Sequence, residues 1–123
     1  MGPVEKAIRG SLHEGDILTT PSQDAPFVVG TIDHRGVVLL FGKQRTKTRF
    51  SWSVLEGART QFGHSSWIVI GGRHDVEGNS GTLDGYLKEY VKRNTAAWVA
   101  SLLEAAGVIE IDRGSPVRIR VLA

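Results

Sequence analysis

The chain has 123 residues, 15 Lys+Arg against 13 Asp+Glu, and no cysteine. That length suits one domain, burying roughly two thirds of its unfolded surface without a staple, and the missing cysteines exclude a disulfide framework, a thiolate nucleophile and a zinc ribbon. No apolar run approaches the ~18 residues of a membrane helix, and the start from Met1 to Gly10 has no signal-peptide core, so a cytoplasmic protein without membrane contact is expected.

Val4 to Leu12 reads as a short amphipathic helix, with Val4, Ala7, Ile8 and Leu12 spaced for one face. Ile17 to Thr20 reads as a short strand ended by Pro21. Phe27 to Asp33 and Val37 to Phe41 are rich in β-branched residues and read as buried strands joined by the turn Asp33-His34-Arg35-Gly36. Gly42-Lys43-Gln44 is a second turn signal, leading into a basic strand over Arg45 to Trp52. These pieces make a β-meander of three or four strands.

Ser51 or Ser53 can cap a helix through Val54, Leu55, Ala58 and Phe62, and Ser53 with Glu56 fits a capping box. Trp67 to Ile70 reads as a short strand, followed by a Gly-rich loop from Gly71 to Gly81. Thr82 caps a helix through Leu83, Tyr86, Leu87, Tyr90 and Val91. Thr95 caps another, with Trp98, Val99, Leu102, Leu103 and Ala106 on its apolar face and Gly107 as the terminating residue. Val108 to Ile111 and Val117 to Leu122 form a closing hairpin. The expected fold class is α+β: a small antiparallel sheet from the N-terminal half, packed with three helices and a C-terminal β-hairpin. The chain reads as one domain, with a possible subdivision into a meander (1–52) and a helical half (53–123).

The order helix, short strand, helix, tight turn, helix, hairpin over Ser53 to Leu122 resembles a winged helix-turn-helix. The resemblance lies in element order and not in a residue motif. It implies that the hairpin is a wing touching a nucleic-acid backbone and that Thr95 to Ala106 is the recognition helix. That helix carries Ser101 and Glu104 on its polar side and no basic residue, so it lacks the side chains that read base edges.

The strongest functional signal is charge placement. Between Asp33 and Glu56 stand Arg35, Lys43, Arg45, Lys47 and Arg49 and no acid; without these five the chain has 10 Lys+Arg against 13 Asp+Glu, a net of −3. On an extended strand Lys43, Arg45, Lys47 and Arg49 share a face at intervals of ~6.8 Å, about twice the ~3.4 Å phosphate spacing of one nucleic-acid strand. The plainer reading is an edge strand protected by charge. Arg118 and Arg120 repeat the pattern on the closing strand. Trp52, beside the basic run, is a candidate for stacking on a base or lining a pocket for a flipped or modified one. Arg73, in the Gly-rich loop, could touch a ligand. Trp98 is assigned to the core.

Other chemistries are poorly supported. The loop 71–82 ends in no Gly-Lys-Ser/Thr, so it is not a Walker loop. His13, His34, His64 and His74 have no metal-ligand spacing, and Asp75, Glu77 and Asp84 are only loose candidates for a metal-dependent hydrolase. Ser65 and Ser66 beside His64 do not form a nucleophile elbow.

The expected function is a non-catalytic nucleic-acid-binding module, for DNA rather than RNA, without cofactor or metal. Its binding residues would be Lys43, Arg45, Lys47, Arg49, Trp52, Arg73, Arg118 and Arg120. It could serve as the targeting domain of a larger restriction or defence nuclease, with other domains of that protein as partners. A protein-interaction domain using the apolar helix Thr95 to Ala106 is the alternative, and a small metal-dependent hydrolase the third reading.

Overall fold

The computed structural model describes residues 1–64, 66–71 and 81–122. It is an α+β structure. A helix α1 (Pro3–Ser11) precedes a four-stranded antiparallel meander, β1 (Ile17–Thr19), β2 (Pro26–Asp33), β3 (Gly36–Phe41) and β4 (Thr46–Ser51). After it come α2 (Trp52–Phe62), β5 (Ile68–Val69), α3 (Leu83–Lys88), α4 (Ala96–Ala105), β6 (Ile109–Asp112) and β7 (Arg118–Val121). The last three strands form a second sheet in the order β5-β7-β6, antiparallel throughout.

Period-2 patterning sets the first sheet. Phe27 and Val29 of β2, Val37, Leu39 and Phe41 of β3, and Phe50 of β4 are buried on one face. They join Val4 and Ile8 of α1, Leu55 of α2, and Leu102 and Leu103 of α4 in one continuous core. The register of β2 shifts between Val29 and Thr31, so Gly30 takes the bulge. The extra residue keeps Thr31 opposite Val38 and the half-buried Ile32 opposite the buried Val37. At the β2–β3 turn Gly36 has φ +142°, and a Cβ there would collide with the Phe50 carbonyl. Only glycine lets β4 approach that closely.

Helix ends are fixed partly as the sequence suggests. Ser51 Oγ accepts from the Val54 N–H at 3.3 Å, and Thr82 Oγ1 from the Gly85 N–H at 3.0 Å. Gly107 follows α4 with φ +77°. Three expectations change. Glu56 does not close a box within its own helix; its carboxylate accepts from the Val4 and Glu5 N–H groups at 3.1 and 3.0 Å, capping α1 instead. An acid there complements the positive end of α1. The helix expected from Thr82 to Val91 ends at Lys88, and Thr95 makes no side-chain cap to α4.

α4 turns most of its surface inward: Ala96, Val99, Ala100, Ser101, Leu102 and Leu103 are buried. Its apolar face is therefore committed to the core, which leaves little of it to a partner. None of the described helices is long and apolar enough to cross a membrane.

Candidate nucleic-acid interface

The basic run is split by the structure. Gly42 to Arg45 form a tight turn, closed by the Arg45 N–H donating to the Gly42 carbonyl at 3.2 Å, and β4 begins only at Thr46. Lys43 and Arg45 therefore sit on the turn, and only Lys47 and Arg49 share a strand face. On β4 the alternation holds: Lys47 and Arg49 are exposed, while Thr46, Thr48 and Phe50 lie opposite Phe41, Leu39 and Val37 on the core side. β4 is an outer strand of its sheet, with β3 on one side only. Arg45 has φ +53°, a conformation uncommon for a bulky non-glycine residue.

The cations differ in what surrounds them. Lys43, Arg45 and Lys47 are exposed and have no ion-pair partner among the described residues. Arg49 is paired: its Nη1 donates to Asp33 Oδ1 at 3.0 Å. The Asp33 carboxyl is held below the usual carboxylate range, chiefly by the Arg35 backbone N–H and then by the Arg49 charge. Arg118 and Arg120 are also neutralised, each by the residue directly across the hairpin. Arg118 bonds Asp112 at 2.8 Å, and Arg120 bonds Glu110. Asp112 is likewise shifted down, first by the Gly114 backbone N–H and then by Arg118. The expected basic surface thus contracts from a stripe and a wing to one turn and the start of one strand.

Trp52 and Trp98 are both half-buried against the core. Trp52 Nε1 donates to the Asp33 carbonyl at 2.8 Å, and the Arg9 guanidinium lies 5.4 Å from its ring centroid. It is half-buried against the core and acts as an anchor between β2 and α2. Trp67 carries the Arg120 guanidinium over its ring at 4.8 Å. Trp98, assigned by spacing to the core, packs against its edge, half-buried and stacked on Phe41, with centroids 4.3 Å apart and planes at 17°. It lines a cleft of about 530 Å³ whose other walls include Ile17, Val28, Leu40, Lys43 and Arg45. Register explains these walls: Ile17, Val28, Leu40 and Lys47 form one row across the outer face of the sheet. Ile17, at the far end of that row, is 70% exposed.

Arg93, in the turn before α4, reaches β4 as well, its Nη1 lying 3.4 Å from Thr48 Oγ1. It is not among the expected binding residues; its place beside β4 depends on tertiary packing. Arg73, His74, Asp75 and Glu77 lie outside the described residues. Among the described residues no group of three or more His, Asp or Glu side chains is placed to hold a metal ion. No protein-family model matches the chain, and no curated protein or solved structure is significantly similar to it.

Proposed function

We propose that this is a non-catalytic nucleic-acid-binding module, acting on DNA in the cytoplasm, whose turn Gly42–Arg45 and strand β4 hold phosphates through Lys43, Arg45 and Lys47. The observation that carries the reading is that these three consecutive cations are exposed and have no ion-pair partner among the described residues, whereas Arg49, Arg118 and Arg120 each have a carboxylate. Charge on an outer strand also keeps it from pairing with another chain. Unpaired cations on a projecting turn are available to release counterions from a phosphate backbone. Arg45 adds support, since a glycine or asparagine would hold its left-handed conformation at lower cost. Phosphate contacts of this kind set affinity and register and carry no sequence preference. The C-terminal half fits the element order of a winged helix, but its paired hairpin cations favour a scaffolding role for it.

The test is the double variant Arg45→Glu/Lys47→Glu. Both side chains are exposed, so the thermal midpoint should stay close to that of the parent. Retention on heparin and on DNA in a mobility-shift experiment should be lost. Retention equal to the parent's would end the phosphate role.

A further inference from the structure

We propose that the Trp98 cleft seats an unpaired base of the strand whose phosphates the neighbouring turn holds, so that the module prefers single-stranded DNA to duplex. This rests on the phosphate-binding reading above. The cleft combines two surfaces. Ile17, Val28, Leu40 and Trp98 are apolar or aromatic, and among the described residues its only charged lining residues are the cations Lys43 and Arg45, with no carboxylate. A wholly apolar ligand would gain nothing from the cations, and a lone phosphate nothing from the apolar walls. A nucleotide has both a flat ring and an anion, joined at short range.

The volume of about 530 Å³ lies within the range of small-molecule sites. Trp98 is held by its stack on Phe41, so its ring orientation does not have to be fixed on binding. Bases in a duplex are stacked on each other and cannot reach such a wall; unpaired bases can, and aromatic stacking tolerates any of the four. The Ile17–Val28–Leu40–Lys47 row runs from apolar surface to cation across the sheet. That order leads a base and its backbone in from the same side.

Fluorescence anisotropy with three labelled probes at one ionic strength tests this: a short oligothymidylate, an abasic deoxyribose-phosphate chain of equal length, and a duplex of equal length. The thymidylate should bind about tenfold or more tighter than the abasic chain, as one stacked base provides. Trp98→Leu should abolish that advantage. Because Trp98 also packs on Phe41, Ile17→Asn serves as the second variant; its site is 70% exposed, so folding is not at stake. It should shrink the advantage while leaving abasic binding unchanged. Equal affinity for thymidylate and abasic chain, or duplex binding as tight as single-strand binding, would overturn the base site and leave the phosphate reading intact. Failure to bind any of the three probes would overturn both.

Discussion

At the scale of single residues, Arg45 and Asp33 separate binding from stability. Arg45 holds φ +53°, which costs a residue with a Cβ about 1–2 kcal/mol relative to right-handed backbone. Arg45→Gly should therefore stabilise the fold by about 1 kcal/mol in denaturant titrations while weakening DNA binding. Opposite signs for the two effects are what a charge retained for binding requires; a purely structural arginine would give no loss of affinity. Asp33 works the other way, since it occupies the Arg49 guanidinium. Asp33→Asn should free that cation and tighten single-strand binding a few-fold. Its lowered carboxyl pKa also has a sign. The stabilisation it contributes is complete above the unfolded value of about 3.9 and is lost as pH falls through the lower folded value. Acid unfolding of Asp33→Asn should show a shallower pH dependence than that of the parent. An identical acid profile would mean that the Asp33 contacts contribute nothing.

At the scale of elements, Tyr86 ties α3 to α2. Its hydroxyl donates to the Val54 carbonyl at 2.7 Å, and its ring meets Phe62 edge-on at 6.0 Å. Burial is the main cause that pushes its phenol up to about 12, with Tyr90 adding to it. A raised value contributes stability that is complete below the unfolded pKa of about 10 and disappears as pH climbs through 12. Tyr86→Phe should cost about 1 kcal/mol at neutral pH and flatten alkaline unfolding between those limits; an unchanged alkaline profile would contradict the assignment. The elements themselves were largely legible, because β2, β3 and the buried helices carry their own apolar periods. The turn read at Gly42–Gln44 is present but extends through Arg45, which takes Lys43 and Arg45 off the strand face. Their alternation is one of charge, not of hydrophobicity, and no inward apolar residue appears before Phe50 to hold that segment in a strand. The turn is set by the pairing of Phe41 with Thr46, a tertiary requirement. Trp98 packs against the edge of the core, as its helical spacing indicates; that it also lines a cleft depends on how α4 meets the sheet. The pairing of Arg118 with Asp112 and of Arg120 with Glu110 follows from the hairpin register and was within reach of the sequence. That of Arg49 with Asp33 depends on how β2, β3 and β4 meet.

At the scale of the whole molecule, the net charge of +2 says little; the distribution of unpaired charge says more. Several carboxylates are occupied by cations outside the turn: Asp33 by Arg49, Glu104 by Arg113, Asp84 by Lys88, and Glu110 and Asp112 by the hairpin arginines. What remains beside the cleft is a patch of one sign next to an apolar wall. The most direct measurement is the affinity for a short single-stranded oligonucleotide as a function of salt. Three phosphate contacts, through Lys43, Arg45 and Lys47, predict a log–log slope of about −2.1, falling to about −0.7 in Arg45→Glu/Lys47→Glu if any binding survives. A slope near zero for the parent chain, or a slope that the double variant leaves unchanged, would contradict the claim that this turn holds phosphates.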